Sequence, residues 1–281
     1  MIIWLASYPK SGNTWLRALI SNYFFSNDGK FDFSLLNKID SFPSEKFFKK
    51  YPDKFESPED TSKYWIKEQE QINKSKKTYF FKTHNALCKI NGNKFTNQEN
   101  TLAAIYIVRD PRNIISSLSH HYQISLDDAL NFMADKNRGI VSKIDNRYIG
   151  FQALFSWSFN VKSWVENTLY PTHIVRYEDL QIDTFGTLKK VIEFINKVTK
   201  SNIKFDKEKA KTSVKNCEFS NLKKLEDKYG FAEAVNKKET NEKLNFFNLG
   251  KDNNYEKLLS EELISKINNL YHEELVKFKY E

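Results

Sequence analysis

The chain has 281 residues and carries 44 basic against 36 acidic side chains, a formal net charge of +8. No apolar run approaches the roughly 18 residues that a membrane-spanning helix needs, and the first strand opens at the N-terminus with no room for a signal peptide, so the expectation is a cytoplasmic protein without a membrane span. Cys88 and Cys217 have no paired spacing, which argues against a disulfide framework or a zinc site. Only six of the 44 basic residues are arginine, while lysine, asparagine and phenylalanine are abundant. The charge therefore reads as a general residue bias rather than a designed nucleic-acid face.

Ile2–Ala6 is a continuous apolar run, short enough for a buried strand of a parallel sheet. Tyr8-Pro9 ends it, because proline donates no ladder hydrogen bond and disfavours helix at the residue before it. From Asn13 a helical period begins, with Leu16, Leu19, Ile20 and Tyr23 recurring at spacings of three and four. A strand, a tight glycine turn and a helix aim backbone N–H groups at an anion. Lys10 adds a full charge to that turn, and Ser11, Asn13 and Thr14 add short polar groups.

Residues 30–78 form a charged insert rich in aromatics, including Phe47, Phe48, Tyr51, Phe55, Tyr64 and Trp65, broken into short helices and turns by Pro43, Pro52 and Pro58. It can shape an acceptor pocket or simply cap the core. Thr78–His84 reads as a second strand and Thr101–Val108 as a third, followed by Arg109-Asp110-Pro111-Arg112. The next helix places Ile114, Ile115 and Leu118 on one face and Ser117 on another. Residues 125–150 read as short helices and loops, and Phe151–Asn167 as an aromatic-rich helix. His173–Tyr177 is a fourth strand. Phe185, Leu188, Val191, Ile192 and Ile195 then mark an amphipathic helix. Segment 206–229 holds one or two helices. Lys237–Asn254 is polar and reads as a mobile lid extending to 257. Ser260 caps a last helix with Leu263, Ile267, Leu270 and Leu275 inward.

Strands alternating with helices predict an α/β fold, a single domain with a mainly parallel sheet joined by right-handed crossovers. Ligands of such sheets bind beyond the carboxyl ends of the strands. Here the four strands end in Lys10, in Lys82 and His84, in Arg109, and in Tyr177 with Glu178, so these groups are expected at one edge.

Tyr8-Pro9-Lys10-Ser11-Gly12-Asn13-Thr14-Trp15 closely resembles the phosphosulfate-binding loop of sulfotransferases that use 3′-phosphoadenosine 5′-phosphosulfate (PAPS). The family's usual form is Tyr-Pro-Lys-Ser-Gly-Thr-Thr-Trp, so only Asn13 departs. Lys82-Thr83-His84 matches a Lys-Thr-His triplet of the family. Arg109 and Ser117, eight apart, match its 3′-phosphate site, and Tyr177-Glu178-Asp179-Leu180 its Tyr-Glu-Asp-Leu. The resemblance implies a P-loop-kinase-like sulfotransferase fold. It implies His84 as general base, with an ordinary pKa of about 6.5 suited to that task. By the same resemblance Lys10 and Lys82 stabilise the transferring group, Arg109 and Ser117 hold the 3′-phosphate, and Trp15, Tyr177 and Phe219 lie at the nucleotide. The reaction implied is sulfuryl transfer from PAPS to a hydroxyl or amine, leaving adenosine 3′,5′-bisphosphate, with no metal. The acceptor class stays open among small molecules, glycans, lipids and peptides.

The last third departs from the family. Cys217-Glu-Phe219 stands where Thr-Ser-Phe is usual, and Asn248 and Leu249 replace an Arg-Lys pair whose arginine binds the 3′-phosphate. Gly250 survives, and Lys251 or Lys243 is the nearest lysine. Two rival readings use the same residues. A kinase would need Mg²⁺, with Asp110 as a candidate ligand. A non-catalytic polyanion binder would rely on net charge alone.

Overall fold

The computed structural model describes residues 1–281. Seven strands matter here: β1 (Ile2–Ser7), β2 (Asp40–Ser41), β3 (Tyr79–Thr83), β4 (Thr101–Val108), β5 (Gly139–Ile144), β6 (Arg147–Ala153) and β7 (Thr172–Arg176). Five make one all-parallel sheet in the order β2-β3-β1-β4-β7. In β1 every residue is buried, as a central strand covered on both faces must be. Successive side chains point to opposite faces. Accordingly Ile2, Trp4 and Ala6 join one core with Phe42, Phe48, Phe81, Phe95 and Tyr106. Ile3 and Leu5 join the other with Leu16, Leu19, Ile20, Ile105, Ile107 and Val175.

The principal helices are α1 (Asn13–Phe25), α2 (Pro111–Tyr122), α3 (Trp157–Val165), α4 (Thr184–Thr199), α5 (Phe219–Tyr229) and α6 (Glu261–Lys277). Their starts are chemically marked. Asp110 accepts from the Arg112 N–H at 2.9 Å, Asp183 from the Gly186 N–H at 2.8 Å, and Ser260 from the Leu263 N–H at 3.3 Å. The register aligns the strand ends, with Ala6 opposite Thr83, Ser7 opposite Ile107 and Val108 opposite Arg176. The residues that follow these strands therefore emerge along one edge.

Three expectations need correction. Residues 125–150 contain a helix, Leu126–Ala134, and then an antiparallel hairpin of β5 and β6. Its turn residues Asp145 and Asn146 both have positive φ, 48° and 61°, the geometry of a two-residue hairpin turn. The helix expected over 151–167 starts only at Trp157, because Phe151–Ala153 belongs to β6. Ala153 is fixed by tertiary bonds: its N–H donates to Asn85 at 2.8 Å and its carbonyl accepts from the Ala86 N–H at 2.7 Å. Leu270 is exposed rather than inward. A kink at Tyr271 (φ −122°) turns that ring into the core against Trp157, and it takes the inward position instead.

Within the 30–78 insert, Phe42, Phe48, Phe55 and Trp65 are buried in the core. No residue of the insert lines the main cavity.

Candidate active site

The loop after β1 turns through two residues of positive φ, Lys10 at 65° and Gly12 at 97°. A Cβ on Gly12 would lie 2.4 Å from the Tyr177 ring, so both conformation and space require glycine here. The Gly12 carbonyl accepts from the N–H groups of Trp15 (3.1 Å) and Leu16 (3.2 Å), starting α1. No side chain caps that helix, so its first N–H groups stay available to an anion.

Above this loop lies a cavity of about 380 Å³. Lys10, Gly12, Asn13, Thr14, Trp15, Lys82, His84, Arg109, Ser117, Tyr177, Phe219 and Gly250 all line it. All the groups expected from four separate strand ends thus converge except Glu178, which instead accepts from the Asp110 N–H (3.0 Å) and the Tyr280 hydroxyl (2.8 Å). Two predicted members lie outside the wall. Ser11 is buried beneath the loop with its hydroxyl unpartnered. Lys251 is exposed, as is Lys243, and neither lines the cavity. Asn13 is at the wall, but its amide nitrogen points back to the Leu5 carbonyl (2.9 Å) and the Ser7 hydroxyl (3.2 Å). It braces the turn from behind.

His84 is held on three sides. Its backbone N–H donates to Gln152 Oε1 at 2.9 Å and its carbonyl accepts from Asn160 at 3.0 Å. Ring Nδ1 sits 2.9 Å from the Ser7 carbonyl oxygen, which can only accept. That partner assigns the proton to Nδ1 and leaves Nε2 with the lone pair. Burial, reinforced by the charge of Lys82, pushes the imidazole down to about 3, so it is neutral at ordinary pH.

The cations crowd one another. Burial first, then the charges of Lys82 and Arg109, bring Lys10 down to about 7, and its ammonium lies 4.0 Å over the Phe246 ring. Burial also lowers Lys82, although Glu233 opposes the effect. Arg109 donates to the Lys10 carbonyl at 3.3 Å and stacks 4.2 Å over Tyr177, leaving its buried Nε unpartnered. Trp15 meets Tyr177 edge-on at 5.7 Å and anchors its indole N–H on the Cys217 carbonyl at 2.8 Å. Phe219 packs so close to Gly250 that a Cβ there would lie 2.6 Å from the ring.

Comparison with known proteins identifies the family and the fold. The family model for the sulfotransferase domain matches residues 2–279. The chain belongs to the sulfotransferase domain family. Sulfotransferase 2A1 of Mus musculus is 32% identical over 96 residues, covering 34% of this chain and 31% of the relative's length. Sulfotransferase 2A2 of the same species is 31% identical over a stretch of the same length. The matched stretch therefore spans less than a third of these curated relatives. A retinol dehydratase solved with androsterone and the inactive cofactor PAP shares the fold, with a TM-score of 0.61 and 17% identity over 98% of this chain and 80% of its own. Mouse SULT7A1 with PAP superposes with a TM-score of 0.51 at the same identity, over 97% and 83%.

Several residues of this site carry no signal in the sequence. Glu233, from the loop after α5, accepts from Thr14 Oγ1 at 3.0 Å, lies 3.3 Å from Lys82 Nζ and pairs with Arg17. Burial alone would raise its carboxyl, but Lys82, Arg17 and Thr14 together hold it far below the usual range. His120 and His121 both line the wall, as do Tyr122 and Phe246. Asp110 is not at the wall, and Arg112 binds its carboxylate at 2.8–3.1 Å. It is engaged where a kinase would need a metal ligand.

Proposed function

We propose that this chain is a PAPS-dependent sulfotransferase, a single catalytic domain over 1–281 in which 30–78 is a cap and 237–257 a lid. The observation that carries the reading is the placement of Lys10, Lys82, His84 and Arg109, from three different strand ends, on one cavity. The donor fits the residues present. Ser11 and Arg109 keep buried polar atoms without a partner, α1 has no side-chain cap, and three like charges meet where an anion would neutralise them.

When bound, PAPS supplies an activated sulfuryl group whose bond to the 5′-phosphate oxygen breaks as the acceptor oxygen or nitrogen bonds to sulfur. His84 Nε2 takes the acceptor's proton, its orientation fixed by the Ser7 carbonyl. Lys10 neutralises the oxygen that gathers charge on the leaving phosphate, and Lys82 does the same for the sulfuryl oxygens. Arg109 and Ser117 receive the 3′-phosphate, the arginine through a planar fork that donates two parallel bonds. Trp15, Tyr177 and Phe219 form the aromatic end that holds adenine. His121, Tyr122, Ile140 and Phe246 give the remaining wall an aromatic and apolar character, which favours an apolar alcohol or phenol as acceptor.

The test is transfer from sulfur-labelled PAPS to a panel of apolar alcohols, phenols and sugars in the presence of EDTA. Labelled product from the wild type is expected, with loss of transfer but retained nucleotide binding in H84A. Transfer only from Mg-ATP, or full transfer by H84A, would overturn the reading.

A further inference from the structure

Resting on that reading, Glu233 stands out because it places a carboxylate in a site otherwise built from cations. It is the only acidic residue among those lining the cavity, and it engages Thr14, Arg17 and Lys82 at once. Two of these three partners line the cavity, and the third, Arg17, lies just beneath the wall, one helical turn beyond Asn13. Arg17 keeps its Nε buried without a partner. The histidine feels the charges of Lys82, Glu233 and Arg17, whereas Arg109 is engaged by the Lys10 carbonyl and the Tyr177 ring.

The geometry points to a sulfuryl-binding seat formed by Thr14, Arg17 and Lys82, which Glu233 fills as a surrogate anion until the donor displaces it. A carboxylate presents two oxygens to the same donors that would bind two of a sulfuryl group's three. Both anions cannot occupy the seat, since like charges at such separations repel strongly. The donor therefore competes with a tethered anion, and its apparent affinity is reduced by the fraction of time the seat is filled. Glu233 lies between α5 and the 243–250 segment, so its displacement also links donor binding to the position of the lid. Arg17 becomes a donor-binding residue that the family-like motifs do not mark.

The experiment is calorimetric titration of wild type and E233Q with PAPS and, separately, with adenosine 3′,5′-bisphosphate, which lacks the sulfuryl group. E233Q is expected to bind PAPS about tenfold tighter or more, and the bisphosphate to change by less than about threefold. Unchanged or weaker PAPS binding in E233Q, or an equal gain for both nucleotides, overturns the seat. Should E233Q fail to fold, a wild-type crystal with PAPS decides: a sulfuryl group on Thr14, Arg17 and Lys82 with Glu233 withdrawn supports the seat, and Glu233 still on Lys82 rejects it. Failure of wild-type protein to bind either nucleotide would sink the sulfotransferase reading itself.

Discussion

The two halves of the site are built differently. The cations Lys10, Lys82 and Arg109 and the imidazole of His84 lie in or just after strands of one parallel sheet, and ladder register sets their relative positions. The facing side, 230–253, has only a two-residue antiparallel pairing of its own, Val235–Asn236 with Lys243–Leu244. Side-chain bonds to other elements hold it in place. Glu226 accepts from the Phe246 N–H at 2.6 Å and the Phe247 N–H at 2.9 Å, and Asn253 bonds Ser116 at 2.5 Å. The first half supplies the positive charge, and the second covers it with a carboxylate and aromatic rings. Positions set by a sheet tolerate the loss of single contacts, whereas a segment held by side chains depends on each of them.

The sharpest way to break this contrast is to remove a sheet-borne cation. Lys10→Ala is expected to lower turnover by at least about 100-fold, the scale of losing one preorganised donor at a developing charge, with an unchanged circular dichroism spectrum. A smaller loss would mean that the facing side shares the chemistry.

Lys10 also predicts a pH dependence. In the unliganded protein its pKa is about 7, while a bound anion favours the charged form. Nucleotide affinity should be full below pH 7 and fall by up to about tenfold per unit above it, as the lysine must first take up a proton. Calorimetry at pH 8 in buffers of different ionisation enthalpy should show that uptake, and K10M should lack it.

On the facing side, Glu226→Ala leaves two backbone N–H groups without their acceptor, a cost of about 1–3 kcal/mol where they stay buried. Amide exchange at 246–247 should accelerate and Tm should fall, while turnover drops less than in K10A. The smallest effect belongs to Lys251→Ala. This lysine is exposed and outside the wall, so the donor KM should change by less than about twofold. A tenfold rise would show that Lys251 reaches the nucleotide after all.

Much of the sheet half was legible from local order. The Thr101–Val108 run is a strand at those same bounds, and the Tyr8–Trp15 wording places the loop and the start of α1. The hairpin of β5 and β6 was missed although Asp145-Asn146 between alternating residues is a turn signal. The helix expected from Phe151 lost its first residues to bonds with Asn85 and Ala86, partners about 70 residues away. Leu270 had the right spacing for burial, but the kink at Tyr271 moved the inward face by one position.

The sequence by itself determined the parallel α/β core, the cationic turn and the set of groups at the strand ends. Apolar runs and helical periods are local, and one register then carries them to a common edge. Only the tertiary structure decided what faces those groups: that Asn13 braces Ser7 from behind, that Lys251 stays outside, and that Glu233 lies among Thr14, Arg17 and Lys82. Those contacts join residues more than 100 positions apart or depend on which way a side chain turns, and neither leaves a periodic trace in the chain.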